Sequence, residues 1–243
     1  MIITSINNNQ IKDLAKLKQK KYRDLSRKFI VEGYHLVEEA YQANLLDTVL
    51  ATKESDFKAG VNNILVSEDV ILKLSSTVTP QLIIGIANYC DFVEEEASKI
   101  LILDNIQDPG NMGTLIRTAL AFNINKIITS LDTIDIYNDK VVRASQGSIF
   151  KIPVFKKDLI EEIKFLKTKG IVIIASTLNN NSLDIKDYKV KDKYALILGN
   201  EGVGIKNEIL SIADISVKIP IEKIDSLNVA VAGSILLYVL ETK

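Results

Sequence analysis

Short runs of apolar residues recur along the second half of the chain, and stretches with helical spacing separate them. The runs predict strands at 100–103, 126–129, 171–176, 195–198 and 217–219. The intervening stretches predict helices at 112–122, 139–146, 157–169, 206–212 and 229–240. Nearly continuous apolar strands that alternate with helices are typical of a buried, mostly parallel sheet. Ligands bind beyond the carboxyl ends of such strands, so the residues that follow each strand are the candidates for chemistry.

Residues 1–92 show a similar alternation with shorter elements. Apolar residues between positions 11 and 25 have helical spacing, and a second helix is predicted at 34–43. Apolar runs at 29–31, 46–51, 63–66 and 82–87 predict strands. The pattern is that of a small α/β layer domain. An acidic stretch at 93–99 predicts a linker, which gives domains at 1–92 and 100–243.

The first predicted helix carries concentrated positive charge. Positions 12–28 contain two aspartates and eight basic residues: Lys12, Lys16, Lys18, Lys20, Lys21, Arg23, Arg27 and Lys28. RNA phosphates favour such a cluster, so Lys12, Lys16, Lys20, Lys21 and Arg23 are candidate RNA contacts. An ordinary solvated helix face has the same appearance, and charge alone leaves both explanations open.

The composition narrows the class of protein. Apolar residues make up 47% and charged residues 25% of the 243 positions, as in soluble globular proteins. The net charge is −1, so only a local argument can support nucleic-acid binding. The start of the chain lacks a signal-peptide pattern and no apolar stretch is long enough to span a bilayer, which predicts a cytoplasmic protein without membrane attachment. A single cysteine, Cys90, and a single histidine, His35, argue against a disulfide framework and against a metal site.

A polar segment follows the first strand of the second domain. It runs from Asp104 through Pro109-Gly110, which enforces a turn, into the helix predicted at 112–122. Asn111 stands where an N-cap residue is expected, and capping is the simpler explanation of that residue alone. Arg117 lies about two turns into the helix, where a solvent-exposed face would also tolerate an arginine.

Two further segments follow later strands. Leu198–Ile205 has three glycines in six residues, but neither the phosphate-loop pattern nor the order Gly-x-Gly-x-x-Gly, and Glu201 would repel a pyrophosphate. This loop suits a neutral or cationic ligand. The segment after the last strand leads into 229–240, which is apolar on nearly every face and is predicted to be a buried helix. Ser226 or Asn228 is most simply the N-cap of that helix.

Together, in this order and spacing, these segments resemble the three signature motifs of the SpoU/TrmH branch of the SPOUT RNA 2′-O-ribose methyltransferases. The motifs read DNIQDPGNMGTLIRTA, ALILGNEGVGI and IPIEKIDSLNVAVAGSILLYVL. The segment from Arg143 to Pro153 also resembles the family, and Arg143 joins the candidate RNA contacts. Residues 1–92 resemble the family's substrate-binding extension, an α/β domain akin to certain ribosomal proteins, through Asn9–Lys12, the basic helix and Phe29–Gly33.

The resemblance implies a fold, a cofactor and an assembly. It implies an α/β catalytic domain with a mostly parallel sheet, whose C-terminal segment forms a trefoil knot that binds S-adenosylmethionine. It also implies a homodimer whose active sites combine residues of both subunits. The residues that the family's donor-binding loops place around the cofactor are Leu198, Gly199, Asn200, Gly202, Ile219, Ile221, Ser226, Leu227 and Ala230.

The implied catalytic residues are Arg117, Asn111, Glu201, Ser226 and Asn228. The acceptor would be a ribose 2′-hydroxyl, which must lose its proton as it attacks the methyl group. An arginine side chain is protonated at any ordinary pH, so an electrostatic role for Arg117 at a phosphate and at the developing alkoxide is favoured over a role as general base. The remaining four residues would orient the ribose and Arg117.

Three other functions compete with this hypothesis. A nicotinamide-dependent oxidoreductase is disfavoured because no Gly-x-Gly-x-x-Gly follows a strand. A catalytically silent RNA-binding relative is disfavoured because Arg117, Glu201 and Asn228 are all present. Transfer RNA competes with ribosomal RNA as the substrate, and the domain at 1–92 favours large-subunit ribosomal RNA.

Overall fold

The computed structural model describes residues 2–179 and 181–242, and the chain divides into two compact units. Unit 1 consists of Met1–Phe92 and Asp135–Lys151, and unit 2 of Val93–Ile134 and Ile152–Lys243. The segment Asp135–Lys151 therefore differs from the predicted boundaries, which placed it in the second domain. Its apolar side chains explain the difference, because Ile149 and Phe150 are buried in one core cluster with Phe29. As functional domains, 1–92 and 100–243 stay a prediction.

The secondary structure follows the predicted alternation. The strands are β1 (Ile2–Ile3), β2 (Lys28–Glu32), β3 (Leu46–Ala51), β4 (Asn62–Val66), β5 (Ile83–Asn88), β6 (Lys99–Leu103), β7 (Lys126–Thr129), β8 (Val154–Lys156), β9 (Val172–Ser176), β10 (Leu183–Asp184), β11 (Tyr194–Leu198) and β12 (Ile215–Lys218). The helices are α1 (Asn9–Ala15), α2 (Lys20–Ser26), α3 (Tyr34–Gln42), α4 (Glu68–Leu74), α5 (Pro109–Ala121), α6 (Asp139–Ser145), α7 (Leu159–Thr168), α8 (Asn207–Leu210) and α9 (Val229–Thr242). In the described part of the chain, no helix has the length and apolar character needed to cross a membrane.

Over the described residues, each unit contains one sheet. The sheet of unit 1 has the order β1-β4-β3-β5-β2, in which β5 runs antiparallel to both of its neighbours. The sheet of unit 2 has the order β10-β12-β9-β11-β6-β7-β8, and each of its pairings is parallel. This arrangement confirms the predicted mostly parallel sheet. The trefoil knot stays an implication of the family resemblance.

The basic segment predicted as one helix forms two. A 3₁₀ turn at Lys16–Lys18 follows α1, and Gln19 is extended before α2 begins. The Arg23 guanidinium donates to the carbonyl oxygens of Leu17 and Lys18, both at 2.9 Å. These carbonyl groups lie at the interruption between the two helices, where they lack helical hydrogen-bond partners.

Arg23 also binds Asp135 at 2.5 Å, and its side chain is only 6% exposed. A buried guanidinium that is paired with a carboxylate has no free charge to offer a phosphate. This burial argues against the predicted contact of Arg23 with RNA, which no observation tests directly. Its charge holds unit 1 together instead, between α2 and the segment that begins at Asp135.

The acidic stretch at 93–99, predicted as a linker, belongs to unit 2, and ion pairs hold it to the rest of that unit. Glu94 accepts from Lys157 at 2.6 Å and from Lys126 at 3.1 Å. Glu96 binds Lys169 at 3.0 Å. The hydrogen bond from Lys157, followed by that from Lys126, holds the pKa of the Glu94 carboxyl below its usual value. The lysines that match these charges are far away in sequence, so charge composition alone did not reveal them.

The last helix, α9, is buried on one side only. A Cβ added at Gly233 would lie 2.7 Å from the side chains of Leu115 and Leu198, so glycine permits close packing at this point. Elsewhere on the helix, Val231, Ile235 and Tyr238 are 49%, 37% and 56% exposed. Their spacing of four and three residues places them on one face. The prediction of a helix buried on nearly every face is therefore wrong for the single chain.

Cys90 provides a test of the packing within unit 1. Its Sγ lies 3.5 Å from the carbonyl oxygen of Ile149, and its N–H donates to the hydroxyl of Tyr137 at 2.9 Å. Burial raises the pKa of the thiol to about 11, against 9.0 for an ordinary thiol. The thiolate fraction at pH 8 falls by about 100-fold, and we expect iodoacetamide to label the native protein more slowly by at least that factor. Mass spectrometry of the intact chain measures the rate.

Unfolding in guanidinium is the control, because it should restore the rate of a model thiol. Since this is the only cysteine, the label reports one site. Rapid labelling of the native protein would contradict the packing of Asp135–Lys151 against residues 89–92.

Candidate active site

Two of the three motif segments leave neighbouring strands of unit 2. β6 and β11 pair in parallel with Leu103 opposite Leu198, so the segments that follow them start from the same edge of the sheet. The third segment follows β12, which β9 separates from β11, and it leads to α9. Helix α9 packs on α5, the helix of the first motif. The topology therefore brings the three segments into one region of unit 2.

Helix α5 begins earlier than predicted, at Pro109. Its N-cap is Asp108, whose side chain accepts the N–H of Asn111 at 2.8 Å. Proline is tolerated at the first helical position because that N–H has no partner within a helix. The predicted capping role of Asn111 is therefore wrong. Its side chain, in the first turn of α5, is free to bind other partners.

Those partners are residues of the other two motifs. The side-chain amide of Asn111 donates to Glu201 Oε1 at 3.0 Å, and Asn111 Oδ1 accepts from Asn228 Nδ2 at 2.9 Å. Asn228 Oδ1 accepts the N–H groups of Ala230 at 2.9 Å and Val231 at 3.2 Å, which makes Asn228 the cap of α9. This cap orients the Asn228 amide, which in turn orients Asn111 so that a donor faces the carboxylate. Two hydrogen bonds thus join the three motifs.

The glycine-rich loop that carries Glu201 has a defined conformation. Asn200 and Gly204 form a bridge with two backbone hydrogen bonds of 3.0 Å. Asn200 Oδ1 accepts the N–H groups of Gly202 and Val203, and its amide donates to the carbonyl of Asn105 at 2.9 Å. Asn200 therefore shapes the loop from within and joins it to the segment after β6.

Arg117 takes no part in the hydrogen bonds that join Asn111, Glu201 and Asn228. It is exposed on α5 and has no hydrogen bond or ion pair with any described residue. It lies six positions after Asn111, which places the two side chains about 120° apart around the helix. The opposite face of α5 is buried through residues such as Leu115 and Ile116. The structure therefore brings together Asn111, Glu201 and Asn228 and leaves the Arg117 guanidinium open to an external anion.

The other candidate donor-binding residues lie in the loops after β11 and β12. Ser226 is exposed, Ile219, Ile221 and Leu227 are partly buried, and Leu198 and Ala230 are buried. Over the described residues, the backbone groups of 220–227 make no hydrogen bond within the chain. Free backbone donors and acceptors beside an apolar wall fit an adenosyl group, which is mostly recognised through its ring edge. Residues 2–179 and 181–242 contain no group of three or more His, Cys, Asp or Glu side chains that could hold a metal ion.

The candidate RNA contacts of unit 1 differ in how free their charges are. Lys12 and Lys21 are exposed and have no acidic partner in residues 2–179 and 181–242. Lys16 and Lys21 place their ammonium groups 5.8 and 5.9 Å from the ring centre of Tyr22. Two ion pairs lie within the same segment: Lys16–Asp13 at 2.7 Å and Lys20–Asp24. Three carboxylates from outside the segment, those of Asp135, Asp91 and Asp47, bind three more of the eight basic side chains. The cluster therefore offers less free positive charge than the sequence indicated.

Arg143 is more strongly held. Its guanidinium binds Asp139 at 3.0 Å and Glu32 at 3.5 Å, and its side chain is 27% exposed. Glu32 ends β2, the strand of the Phe29–Gly33 segment, and its carboxylate also accepts from Ser75, Ser76 and Thr77. Within unit 1, Arg143 thus has a structural role, and a contact with RNA stays a prediction.

Sequence reasoning missed Asp104, Lys206 and Asp132. Asp104 is 0% exposed at the end of β6, and Asp132 binds Lys206 at 2.9 Å. The signal was an acidic residue directly after a fully apolar strand, where a carboxylate must find a partner in the fold. Its partner is 102 positions away, so only the tertiary structure identifies it.

Two family models match the chain. One, described as the SpoU rRNA Methylase family, matches residues 98–238, and the three motif segments lie in or begin within this range. The other, described as an MRM3-like substrate binding domain, matches residues 8–85. The chain is thus matched both in unit 2 and in the main segment of unit 1.

Relatives and solved structures agree with these matches. The 23S rRNA (guanosine(2553)-2′-O)-methyltransferase RlmP of Bacillus subtilis is 37% identical over 97% of both chains. The crystal structure of an AdoMet-bound rRNA methyltransferase from Sinorhizobium meliloti superposes with a TM-score of 0.89 and 32% identity, covering 100% of this chain and 97% of that one. The SpoU methyltransferase AviRb from Streptomyces viridochromogenes, crystallised with AdoMet, has a TM-score of 0.85 over 97% of this chain and 98% of its own, and at 22% identity it shows the fold alone.

Proposed function

This chain belongs to the SpoU rRNA methylase family, and on that premise we propose that it transfers the methyl group of S-adenosylmethionine to a ribose 2′-hydroxyl of large-subunit ribosomal RNA. The observation that carries the proposal is the contact of Asn228 with Asn111 and of Asn111 with Glu201, which joins the three motif segments. A 23S ribosomal RNA enzyme is similar over 97% of the chain, which supports the substrate. Ribosomal RNA as substrate also agrees with a cytoplasmic location.

The donor would lie between the loops after β11 and β12. When bound, it supplies a methyl group activated by a sulfonium centre. The backbone of Leu198–Gly202 and of 219–227 would hold its adenosyl group, with Ala230 at the start of α9 as part of the apolar wall. The carboxylate of Glu201 gives this region a negative charge, which favours a cationic ligand over a pyrophosphate.

The acceptor ribose would lie beside Asn111, with Arg117 on the adjoining RNA phosphate. The 2′-oxygen would accept the methyl group that the bound donor supplies, S-adenosylhomocysteine would leave, and the hydroxyl proton would pass to solvent. A guanidinium can bind a phosphate through two parallel hydrogen bonds and can stabilise negative charge on the 2′-oxygen. Ser226 and Asn228 would orient the ribose, so that much of the rate comes from alignment.

The exposed face of α9 supports the homodimer. Val231, Ile235 and Tyr238 form an apolar stripe on a helix that is otherwise packed on α5. Three exposed apolar side chains on one face of a helix suit a surface that a second subunit would cover. Arg117, which has no partner in residues 2–179 and 181–242, would then act in the active site of the other subunit, or in its own active site once the other subunit completes it.

Replacing Ile235 with glutamate should convert the dimer into a monomer, because the charge would lie in the centre of the stripe. Light scattering coupled to size exclusion measures the mass, against 27.0 kDa for one chain. Leu72→Glu is the matched control, since Leu72 is 54% exposed on α4, outside the stripe. The control should keep the mass of the wild type. A dimer that survives Ile235→Glu unchanged would place the interface elsewhere.

RNA binding and methyl transfer would be carried out by different parts of the chain. Residues 1–92 would bind the ribosomal RNA, with Lys12, Lys16, Lys20 and Lys21 as its phosphate contacts, and 100–243 would carry out the methyl transfer. Support comes from the substrate-binding family model that matches residues 8–85. Phosphate contacts would make RNA affinity fall with salt concentration, by an amount that depends on the number of ions displaced.

The test is methyl transfer from labelled S-adenosylmethionine to protein-free ribosomal RNA and, separately, to bulk tRNA, followed by alkaline digestion. Alkali cleaves through the free 2′-hydroxyl, so ribose methylation leaves a labelled, resistant dinucleotide. We expect this product from ribosomal RNA. Label in mononucleotides would overturn the ribose assignment, and label only in tRNA would overturn the substrate. If neither RNA is labelled and the donor does not bind, the protein is a silent RNA-binding relative.

A further inference from the structure

The carboxylate of Asp104 is the most buried charged group beside the candidate active site. It follows β6 directly and is 0% exposed. Its Oδ2 accepts the N–H of Lys206 at 2.9 Å, whereas Oδ1 has no hydrogen bond in the described part of the chain and lies 3.7 Å from the Lys206 ammonium. Burying a carboxylate is costly unless its partners are well placed, so the fold must gain something specific from this residue.

Asp104 binds both ends of the glycine-rich loop. Its backbone N–H donates to the carbonyl of Leu198, the last residue of β11, at 2.9 Å. Its side chain holds the N–H of Lys206, at the point where the loop passes into α8. Between these two points lie Asn200, Glu201 and the three glycines. One residue outside the loop therefore sets the separation of the ends of the loop.

A series of polar contacts also connects Lys206, at the end of the loop, with Asn200 inside the loop. The Lys206 ammonium binds Asp132 at 2.9 Å, and Asp132 accepts the hydroxyl of Ser130 at 2.5 Å. The same hydroxyl accepts the N–H of Asn105 at 2.8 Å, and the carbonyl of Asn105 accepts the Asn200 amide at 2.9 Å. Lys206 and Asn200 are thus connected through the segment after β6 and the turn after β7.

We infer that Asp104 is a positioning residue for the donor-binding loop, acting through Lys206. The inference rests on the proposed function, because it assumes that this loop binds S-adenosylmethionine. Asp104 is 0% exposed and would act from beneath the loop, without touching the donor. Its loss would let the Lys206 end of the loop shift, and with it the backbone groups of the loop and the carboxylate that binds Asn111.

Isothermal titration of S-adenosylmethionine into the full-length protein tests the inference, at a temperature where circular dichroism shows each variant folded. Asp104→Ala should raise the donor Kd by about 10- to 100-fold, as expected for loss of a buried hydrogen bond to a charged group. Asp104→Asn keeps an acceptor for the Lys206 N–H and should recover part of the affinity. Lys206→Met, at a side chain that is 41% exposed, should fold normally and still weaken donor binding by about 3- to 10-fold.

Ile127→Ala separates positioning from general stability. Ile127 is 0% exposed in β7, and its apolar side chain makes none of the polar contacts that reach the loop, so its truncation should lower the melting temperature and leave those contacts in place. Its donor Kd should stay within about 2-fold of the wild-type value. Wild-type affinity in Asp104→Ala or Lys206→Met, or an equal loss in Ile127→Ala, would overturn the inference alone. A wild-type protein that binds no donor would remove the proposed function, and the inference with it.

Discussion

Arg117→Ala should reduce methyl transfer by about 100- to 1000-fold and leave the protein folded and able to bind the donor. This is the loss typical of removing one group that stabilises charge in a transition state. The guanidinium is exposed and has no partner in the described residues, so its removal should change the free energy of unfolding by no more than about 0.5 kcal/mol. Single-turnover methylation of ribosomal RNA measures the rate, and titration with S-adenosylmethionine measures donor binding.

Arg117→Lys is the matched control for this result. Lysine keeps the charge but lacks the planar fork that binds a phosphate through two hydrogen bonds. We expect it to recover only part of the rate, with donor affinity again unchanged. If Arg117→Ala methylates RNA at the wild-type rate, the role carried over from the family motif is wrong. If it loses donor binding instead, Arg117 acts on the loops and not on the RNA.

Gly199→Ala should abolish donor binding and also destabilise unit 2. A Cβ at this position would lie 2.2 Å from the backbone nitrogen of Ile205 and 2.3 Å from the carbonyl carbon of Gly204. Both are backbone atoms, which cannot move aside as a flexible side chain can. The bridge between Asn200 and Gly204 would have to open, and Glu201 would move away from Asn111. We expect a loss of donor affinity of at least about 100-fold, since the loop would lose the conformation that holds the ligand.

The cost in stability should be about 1–3 kcal/mol, as for other overpacking substitutions. In a domain of this size that corresponds to a decrease in melting temperature of roughly 2–12 °C. Gly202→Ala is the control for stability, because its Cβ would meet only Asn200 Oδ1, at an ordinary 3.5 Å. It should melt close to the wild type. Equal melting temperatures for the two variants would show that the loop has room at Gly199 and that its bridge is not required.

The parallel sheet of unit 2 could be predicted because its central strands are apolar along their whole length. Ile100–Leu103 and Ala195–Leu198 are buried on both faces, and such runs have few other places in a folded chain. The edge strands β8 and β10 were missed, since they contain only three and two residues and so present no apolar run of strand length. Short edge strands form because a neighbouring strand offers hydrogen-bonding groups, which is a property of the fold and not of their own sequence.

Local chemistry was ambiguous at the ends of the helices. Asp108 and Asn111 are both good N-cap residues, and the pattern favoured the wrong one. The structure selects Asp108 because Pro109 can occupy the first helical position, which leaves the Asn111 side chain for Glu201 and Asn228. The motif pattern therefore identified Asn111, while its contact with two residues 90 and 117 positions away came only from the fold.

The sequence by itself determined the family, the parallel α/β class and the three segments that carry the candidate chemistry. These follow from local order: apolar periodicity, turn residues and motif spacing are all written along the chain. The tertiary structure decided where charges and apolar faces find their partners. It buries Arg23 against Asp135, places Asp104 under the glycine-rich loop and leaves Val231, Ile235 and Tyr238 exposed. Burial and pairing depend on contacts between residues that are far apart in the sequence. The order of residues along one chain does not say which distant residues come into contact.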